Sequence, residues 1–307
     1  MIALRLLRVA FRVWRRVKST LPAIIAKRLD KLEFKVSLSR KLRKNTPVIV
    51  YSMGRVGSTS VQLSLKSHGI KTPFHIHRLL LNPAQKKYWS PTAIWQFETL
   101  LSYIKKRKKA KFITLVREPV SRNISDFFFK SFTNITPVEY ADLDLNVEEL
   151  FKTFVNNYAH SVPLTWFDME LKPVLGIDIY EYPFPKEKGF LTIDRGNFQL
   201  LIIKVEIADS VKEKAIGEFL GIADFKLTRR NASTDKHYAN TYRDFLETVE
   251  LPQTYVEIMC SSEYTRHFYT DTDIEATRET WRNNVGKSEL PAAVYEELLR
   301  ASHRALD

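Results

Sequence analysis

Cysteine is almost missing from this chain: Cys260 is the only one in 307 residues. No intrachain disulfide can form, so the cross-linked architecture of small secreted domains is excluded and a reducing compartment is the simplest home. Glycine is scarce, at 9 residues, proline stands at 13, and no low-complexity tract occurs, which excludes collagen-like, mucin-like and mainly disordered chains. Long apolar runs are missing as well. The longest near the start, Leu21 to Ala26, is interrupted by Pro22 and falls far short of the roughly 20 residues of a bilayer span. It is not followed by a small-residue cleavage pattern either, so a secretory signal fits poorly. Acidic residues are rare in one place only. Residues 1–44 hold 14 Lys and Arg but just Asp30 and Glu33, a net +12 of the chain's +13, so the remaining 263 residues are nearly neutral. A neutral body behind a basic leader is not the charge layout of a nucleic-acid-binding domain, and no nucleic-acid partner is expected.

What is present suits one large core, since 44% of residues are hydrophobic and 12% aromatic. In the leader, Arg5, Arg8, Arg12, Arg15 and Arg16 share one arc of a helical wheel, while Leu6, Leu7, Ala10, Val13, Trp14 and Val17 share the other. This basic amphipathic pattern predicts a helix that ends near Pro22. It reads either as a helix lying on an anionic membrane surface or as one packed on its own domain. The organisation expected is therefore a leader over 1–44 and one domain over 45–307.

Within that domain strands and helices alternate. Val48–Tyr51 is a β-branched apolar run, followed by a glycine-containing loop and a helix from about Ser58 to His68. A second strand is expected at Pro73–His77, a helix over about Ala93–Lys109, a strand at Phe112–Val116 and a helix opened by Pro119. Phe198–Val205 reads as a fully buried strand. Residues 130–195 are irregular apart from a helix at Val147–Tyr158, and are read as an insertion that shapes a pocket. The aromatics of 241–281 are read as packing residues. Buried runs alternating with helices imply an α/β fold with a central parallel sheet flanked by helices. The basic run Lys105–Lys111 is read as a solvated helix end.

Chemistry concentrates in two segments. In PVIVYSMGRVGSTSV (47–61), Gly54 and Gly57 lie between a buried strand and a helix start, where backbone N–H groups and the helix dipole form an anion cradle. Ser58, Thr59 and Ser60 add hydroxyls and Arg55 a delocalised cation. The spacing is not that of a Walker A loop, and the Phe112–Val116 strand has no metal-binding aspartate at its end. In FITLVREPVSRNISDFFF (112–129), Arg117 closes a strand, while Val120, Ile124 and Phe127 take the inner face of the next helix and Ser121 and Ser125 another. Arg117 and Ser125 can thus converge on one anion, although Arg117 taken alone would better suit a structural ion pair with Glu118 or another carboxylate.

Together these segments resemble the sulfotransferase superfamily, whose members use 3′-phosphoadenosine 5′-phosphosulfate (PAPS). The first family motif, a basic residue two positions before Gly and then Ser/Thr, reads here as Arg55, Gly57, Ser58 and Thr59. Its second, a strand-end Arg followed eight positions later by Ser, reads as Arg117 and Ser125. REPVSRNIS is closest to the carbohydrate branch, and WFDME, GIDIYEYPF, LPQTY and YTRHFY resemble bacterial capsular polysaccharide synthesis proteins. The resemblance spans about Thr46–Trp281 and implies a P-loop-like sheet, PAPS as donor, a carbohydrate acceptor and no metal. It also implies cofactor contacts from Arg55, Gly57, Ser58, Thr59, Ser60, Arg117, Ser125 and, after the late strand with Glu206, from Arg230 near Arg229 and Asn231. Many members carry Lys at the position of Arg55, which leaves this residue's catalytic share open.

Sulfuryl transfer to a hydroxyl needs a base. His77 is the candidate, with His75 in support on the same face of the second strand, and Asp168 and Glu170 compete. The sequons at Asn123, Asn134 and Asn231 matter only in a secretory lumen, and Asn123 sits inside the second motif, so a cytoplasmic location on the inner membrane face is expected. Two other readings stay open: a P-loop-like kinase using ATP, and a non-catalytic membrane-tethered scaffold of polysaccharide synthesis.

Overall fold

The structure, a computed structural model, describes residues 22–44, 46–70, 73–80, 89–106, 108–132, 146–228, 237–282, 285–286 and 288–303. The first leader helix expected from the sequence, before Pro22, and the Arg229–Asn231 cluster with Arg230 lie outside the described residues. After Pro22 the chain forms α1 (Ala23–Lys44), then β1 (Val48–Tyr51), α2 (Ser58–Ser67), β2 (Pro73–Ile76), α3 (Pro91–Lys105), β3 (Ala110–Val116) and α4 (Pro119–Phe132). Next come α5 (Val147–Asn157), α6 (Val162–Trp166), a π-helical turn at Phe167–Leu171 and α7 (Lys172–Leu175), followed by β4 (Phe190–Arg195), β5 (Phe198–Lys204) and α8 (Asp209–Leu220). Helices α9 (Ala239–Thr248), α10 (Gln253–Ser261), α11 (Glu263–Phe268), α12 (Asp271–Arg282) and α13 (Ala292–Ser302) complete it, with a two-residue parallel bridge between Leu251–Pro252 and Val285–Gly286.

The five main strands form one sheet in the order β2-β1-β3-β5-β4. β2, β1, β3 and β5 run parallel, with β3 and β5 in register from Ala110 opposite Phe198 to Val116 opposite Lys204. Their apolar runs are continuous because helices flank the sheet: Ile49, Val50, Phe112, Ile113, Leu200 and Ile202 are fully buried. The fold is thus mixed α/β, as the alternation of elements implied.

Two expectations need correction. β4 lies inside the stretch read as an irregular insertion. It is an antiparallel edge strand joined to β5 by a tight hairpin at Gly196, whose φ of +70° is left-handed. Exposed Thr192 and Asp194 around buried Ile193 give it the half-solvated pattern of an edge, which the surrounding polar residues mask. α3 ends at Lys105 and β3 begins at Ala110, so Lys111 belongs to a strand, and its ammonium donates to the Phe219 carbonyl rather than standing at a solvated helix end. Over α1 the described part of the leader packs on the domain. Leu38 and Leu42 are buried, Phe34 meets Trp95 at 6.1 Å, and Lys31 and Lys35 pair with Glu98 at 3.0 and 3.1 Å, fastening α1 on α3.

The aromatics of the C-terminal helices are core, as expected, and they surround α4: Tyr255, Phe268 and Trp281 are buried, and Phe245 packs on Phe127 and Phe128. His160 is locked among them. Its Nε2 donates to the Phe154 carbonyl at 2.8 Å and its Nδ1 accepts from the Tyr255 hydroxyl at 3.3 Å, an arrangement only the neutral ring can make. Burial accordingly pulls its pKa down to about 4. The unfolded chain binds this proton near the ordinary value of 6.5. Between the two values the unfolded state therefore holds more protons, and the contribution of His160 to stability is lost as pH falls through that window. Replacing His160 by Gln should make the denaturant midpoint less sensitive to pH between about 6.5 and 4 than in the wild type, with urea titrations at each pH as the check. An unchanged slope would remove His160 from the acid response.

Candidate functional site

The strand order reverses between β1 and β3: the chain leaves β1 for β2 on one side and returns to β3 on the other. Beyond the carboxyl ends of these strands an open parallel sheet has a crevice, the usual seat of ligands in such folds. Here it holds a cavity of about 770 Å³, within the range of small-molecule sites. Arg55, Gly57, Ser58, Thr59, Ser60, His77, Arg117 and Ser125, which the sequence nominates from three separate stretches, all line it. His75 does not, and neither do Asp168 and Glu170.

The loop between β1 and α2 is the floor of this cavity. Gly57 caps α2 with φ +76°, and having no side chain it leaves the first-turn N–H groups of Ser58 and Thr59 without a capping oxygen. Arg55 is also left-handed, at φ +69°, a conformation costing a non-glycine residue of order 1 kcal/mol or more and held only where neighbours enforce it. Two arginines of the second segment supply that enforcement. The Arg117 Nη1 donates to the Arg55 carbonyl at 3.0 Å, and the Arg122 Nε donates to the Gly54 carbonyl at 3.1 Å. The Arg55 side chain is thereby directed across the cavity, where its Nε donates to the Ser125 Oγ at 3.1 Å and its guanidinium lies 4.8 Å from the Phe129 ring centre. Burial, and next to it the charge of Arg117, lower the Arg55 pKa. Two guanidinium groups in one recess repel each other, and an anion between them would relieve both.

Arg117 is held from behind. Its backbone N–H donates to the Tyr264 hydroxyl at 3.2 Å, and that hydroxyl donates to the Arg117 carbonyl at 2.9 Å. Glu118 does not take up Arg117 as its partner. Its carboxylate turns into the first turn of α4, accepting from the N–H groups of Val120 and Ser121 at 2.6 and 2.7 Å. Glu206 anchors the same corner, accepting from the Glu118 N–H and the Tyr269 hydroxyl. Cations dominate the cavity wall: Arg55, Arg78, Arg117, Arg122, Lys130 and Lys212 face two carboxylates, Asp126 and Asp209. Both carboxylates carry cationic neighbours, Asp126 with Lys130 at 2.8 Å and Arg122 at 3.4 Å, and Asp209 with Lys212 at 2.7 Å.

His77 stands immediately past β2 and lines the cavity. Its Nδ1 is 2.7 Å from the Ser52 carbonyl, which can only accept, so the proton sits on Nδ1 and the Nε2 lone pair is the basic position. The Trp166 indole donates to the His77 carbonyl at 2.9 Å and fixes the backbone as well. Burial lowers the His77 pKa, partly opposed by the Ser52 hydrogen bond, so the ring is neutral at pH 7. His75 lies 4.6 Å from it, ring to ring, with its Nε2 bonded to the Ser58 hydroxyl at 2.8 Å. Its pKa falls to about 4 through burial and then the charge of its neighbours. This histidine orients Ser58 at the start of α2.

Glu170 is spoken for elsewhere. Buried in the π-helical turn, it accepts from the Tyr51 hydroxyl at 2.8 Å and the Leu79 N–H at 3.0 Å, which ties that turn to the end of β1. Arg122 is the residue that sequence reasoning missed. It is 2% exposed, and besides Gly54 it donates to the Asn123 Oδ1 and the Tyr158 hydroxyl, each at 2.9 Å. Its signal was the helical spacing of Arg122, Asp126 and Lys130, one turn apart. Asn123 is fully buried and its amide donates to the His160 carbonyl and the Tyr255 hydroxyl, which leaves no room for a glycan.

Residues 140–270 match a family model described as putative capsular polysaccharide synthesis protein. The matched stretch covers Val162, Trp166, Val205, Lys212 and Thr228 of the cavity wall, and it leaves out the β1–α2 loop and the β3–α4 segment. Searches of curated proteins and of solved structures returned no match.

Removing Arg122 strands Asp126 beside exposed Lys130 and frees the Gly54 carbonyl. Arg122→Met should therefore cost about 3 kcal/mol of folding stability, and the double change Arg122→Met with Asp126→Leu should cost less than Arg122→Met alone. Urea denaturation of the three proteins checks this. A double variant as weak as or weaker than the single one would show that the ion pair is not what Arg122 serves.

Proposed function

We propose that the protein transfers a sulfuryl group from PAPS to a hydroxyl of a carbohydrate, a capsular or other surface polysaccharide or its precursor. One observation carries this reading: Arg55, Arg117, Ser125 and the uncapped start of α2 converge on a single recess at the point where the strand order reverses. The donor set suits a ligand with two separated anionic groups. Ser58, Thr59 and the α2 N-terminus would hold the 5′ end, and Arg117 with Ser125 would hold the 3′-phosphate. PAPS supplies the activated sulfuryl group, which carries less negative charge than a phosphoryl group and so needs fewer cations at the transfer point. The resemblance of 140–270 to capsular polysaccharide synthesis supports a carbohydrate as acceptor.

The chain's own residues then divide the work. Arg55, held in its strained conformation by Arg117, faces the recess with a preorganised positive charge, the kind of group that stabilises developing negative charge without reorganising. His77 offers Nε2 to an incoming hydroxyl and takes its proton, while the Ser52 carbonyl stabilises the imidazolium through Nδ1–H. Because the lowered pKa keeps the ring neutral down to below its ordinary value, turnover should hold to mildly acidic pH before it falls. Phe129 and Trp89 add apolar surface suited to a sugar ring.

Calorimetric titration tests the donor assignment. Adenosine 3′,5′-bisphosphate should bind far more tightly than AMP, and Arg117→Ala should remove most of that difference, about 2 to 4 kcal/mol. Equal affinity of the wild type for the two nucleotides would refute the 3′-phosphate site. His77→Ala should lower kcat by about 100-fold with bisphosphate affinity within about threefold of the wild type. Near-normal turnover in that variant would move the base elsewhere.

A further inference from the structure

Helix α1 carries two apolar stripes. The inner one, Phe34, Leu38 and Leu42, repeats every four residues and packs on α3. The outer one, Ile25, Leu29, Leu32 and Val36, follows the 4-3-4 spacing of a single helix face and lies on the opposite side of the wheel. Three of its four side chains stand exposed, Ile25 at 45%, Leu32 at 59% and Val36 at 41%, with Leu29 half-buried between them, and Ile24 at the helix start is 71% exposed. These four are more than half of the seven large hydrophobic side chains exposed among the described residues, so the exposure is concentrated on one element.

We propose that this outer stripe is a docking surface for an anionic lipid bilayer, on which α1 lies in the plane of the headgroups. The choice of occupant rests on charge. α1 carries eight Lys and Arg against Asp30 and Glu33, and Arg28 and Arg40 flank the stripe on either side. A second copy of the chain would set one basic helix against another. Residues 1–21, with six Lys and Arg and no acidic residue, would meet α1 with the same repulsion if folded back on it. A bilayer with negative headgroups answers both features at once: its acyl boundary receives the apolar stripe and its phosphates receive the basic flanks. No helix among the described residues is long and apolar enough to cross a membrane, which fits a helix lying on the surface. Since α1 is fastened to α3, and α3 leads directly into β3, docking would hold the sheet at the membrane face where a lipid-linked or nascent surface polysaccharide is found.

The test uses the full chain and vesicles of phosphatidylglycerol and phosphatidylcholine in equal parts, with pure phosphatidylcholine vesicles as the neutral control. Wild type should sediment with the anionic vesicles at low salt and be released as salt rises. Ile25→Gln/Leu32→Gln/Val36→Gln keeps every charge and alters only exposed positions, so circular dichroism and bisphosphate affinity should be unchanged while vesicle affinity falls at least about tenfold. The basic residues 1–21 are present in both proteins, so the loss reports the stripe. Equal sedimentation of the two proteins, or equal binding to neutral and anionic vesicles, overturns the proposal. So does a wild type that light scattering finds dimeric and the triple variant monomeric, since a second copy would then be what covers the face.

Discussion

The site depends on two guanidinium groups pinning two successive carbonyls. Arg122 holds the Gly54 carbonyl and Arg117 holds the Arg55 carbonyl, and between them they force the β1–α2 loop into a bend with two left-handed residues, Arg55 and Gly57. A loop free to relax would let Arg55 return to ordinary backbone angles and swing its side chain out of the recess. The strain is therefore set by β3 and α4, and these are set in turn by the packing of Phe127 and Phe128 against the C-terminal helices and by Tyr264 behind Arg117. In this way a charged recess is made rigid by an aromatic core, and the cost of holding several cations together is met before any ligand arrives.

Much of this was legible in the sequence because the relevant signals were local. The strand, glycine loop and hydroxyl run of 47–61, and the strand-end Arg117 with Ser125 eight residues on, pointed to one shared recess from residue type and spacing alone, and they do line one cavity. The parallel sheet was legible for the same reason: β3 and β5 are mostly apolar and buried, with Leu200–Ile203 continuous and Phe112–Val116 interrupted only by Thr114. β4 was not, because an edge strand with one solvated face and polar neighbours shares its pattern with a loop, and only the pairing with β5 distinguishes them. Arg122 was hidden for a different reason. An arginine on a helix reads as solvated until the fold shows Asp126, Tyr158 and the Gly54 carbonyl gathered around it, and the last of these is 68 residues away in the chain. The sequence favours His77 for proton transfer, with Glu170 among its competitors. Their surroundings differ: Glu170 is consumed by Tyr51 and Leu79 away from the cavity, whereas His77 lines it with its Nδ1 bonded to the Ser52 carbonyl.

The division of the chain between recognition tasks follows the same geometry. The cations and hydroxyls assigned above to the proposed donor come from the β1–α2 loop and the β3–α4 segment, outside the stretch that matches the capsular polysaccharide synthesis model. That stretch contributes Val162, Trp166 and the residues after β5 to the same wall, with Val205 against the β1–α2 loop.

The most direct measurement of the central claim is a transfer assay with two labelled donors in parallel, PAPS labelled in its sulfur and ATP labelled in its γ-phosphate, each offered with surface polysaccharide extracted from cells and with or without a chelator. The account predicts sulfur label in the polysaccharide, undiminished by the chelator, and no phosphorus label. Phosphorus label that disappears on chelation, with no sulfur transferred, would contradict it and make the protein a kinase.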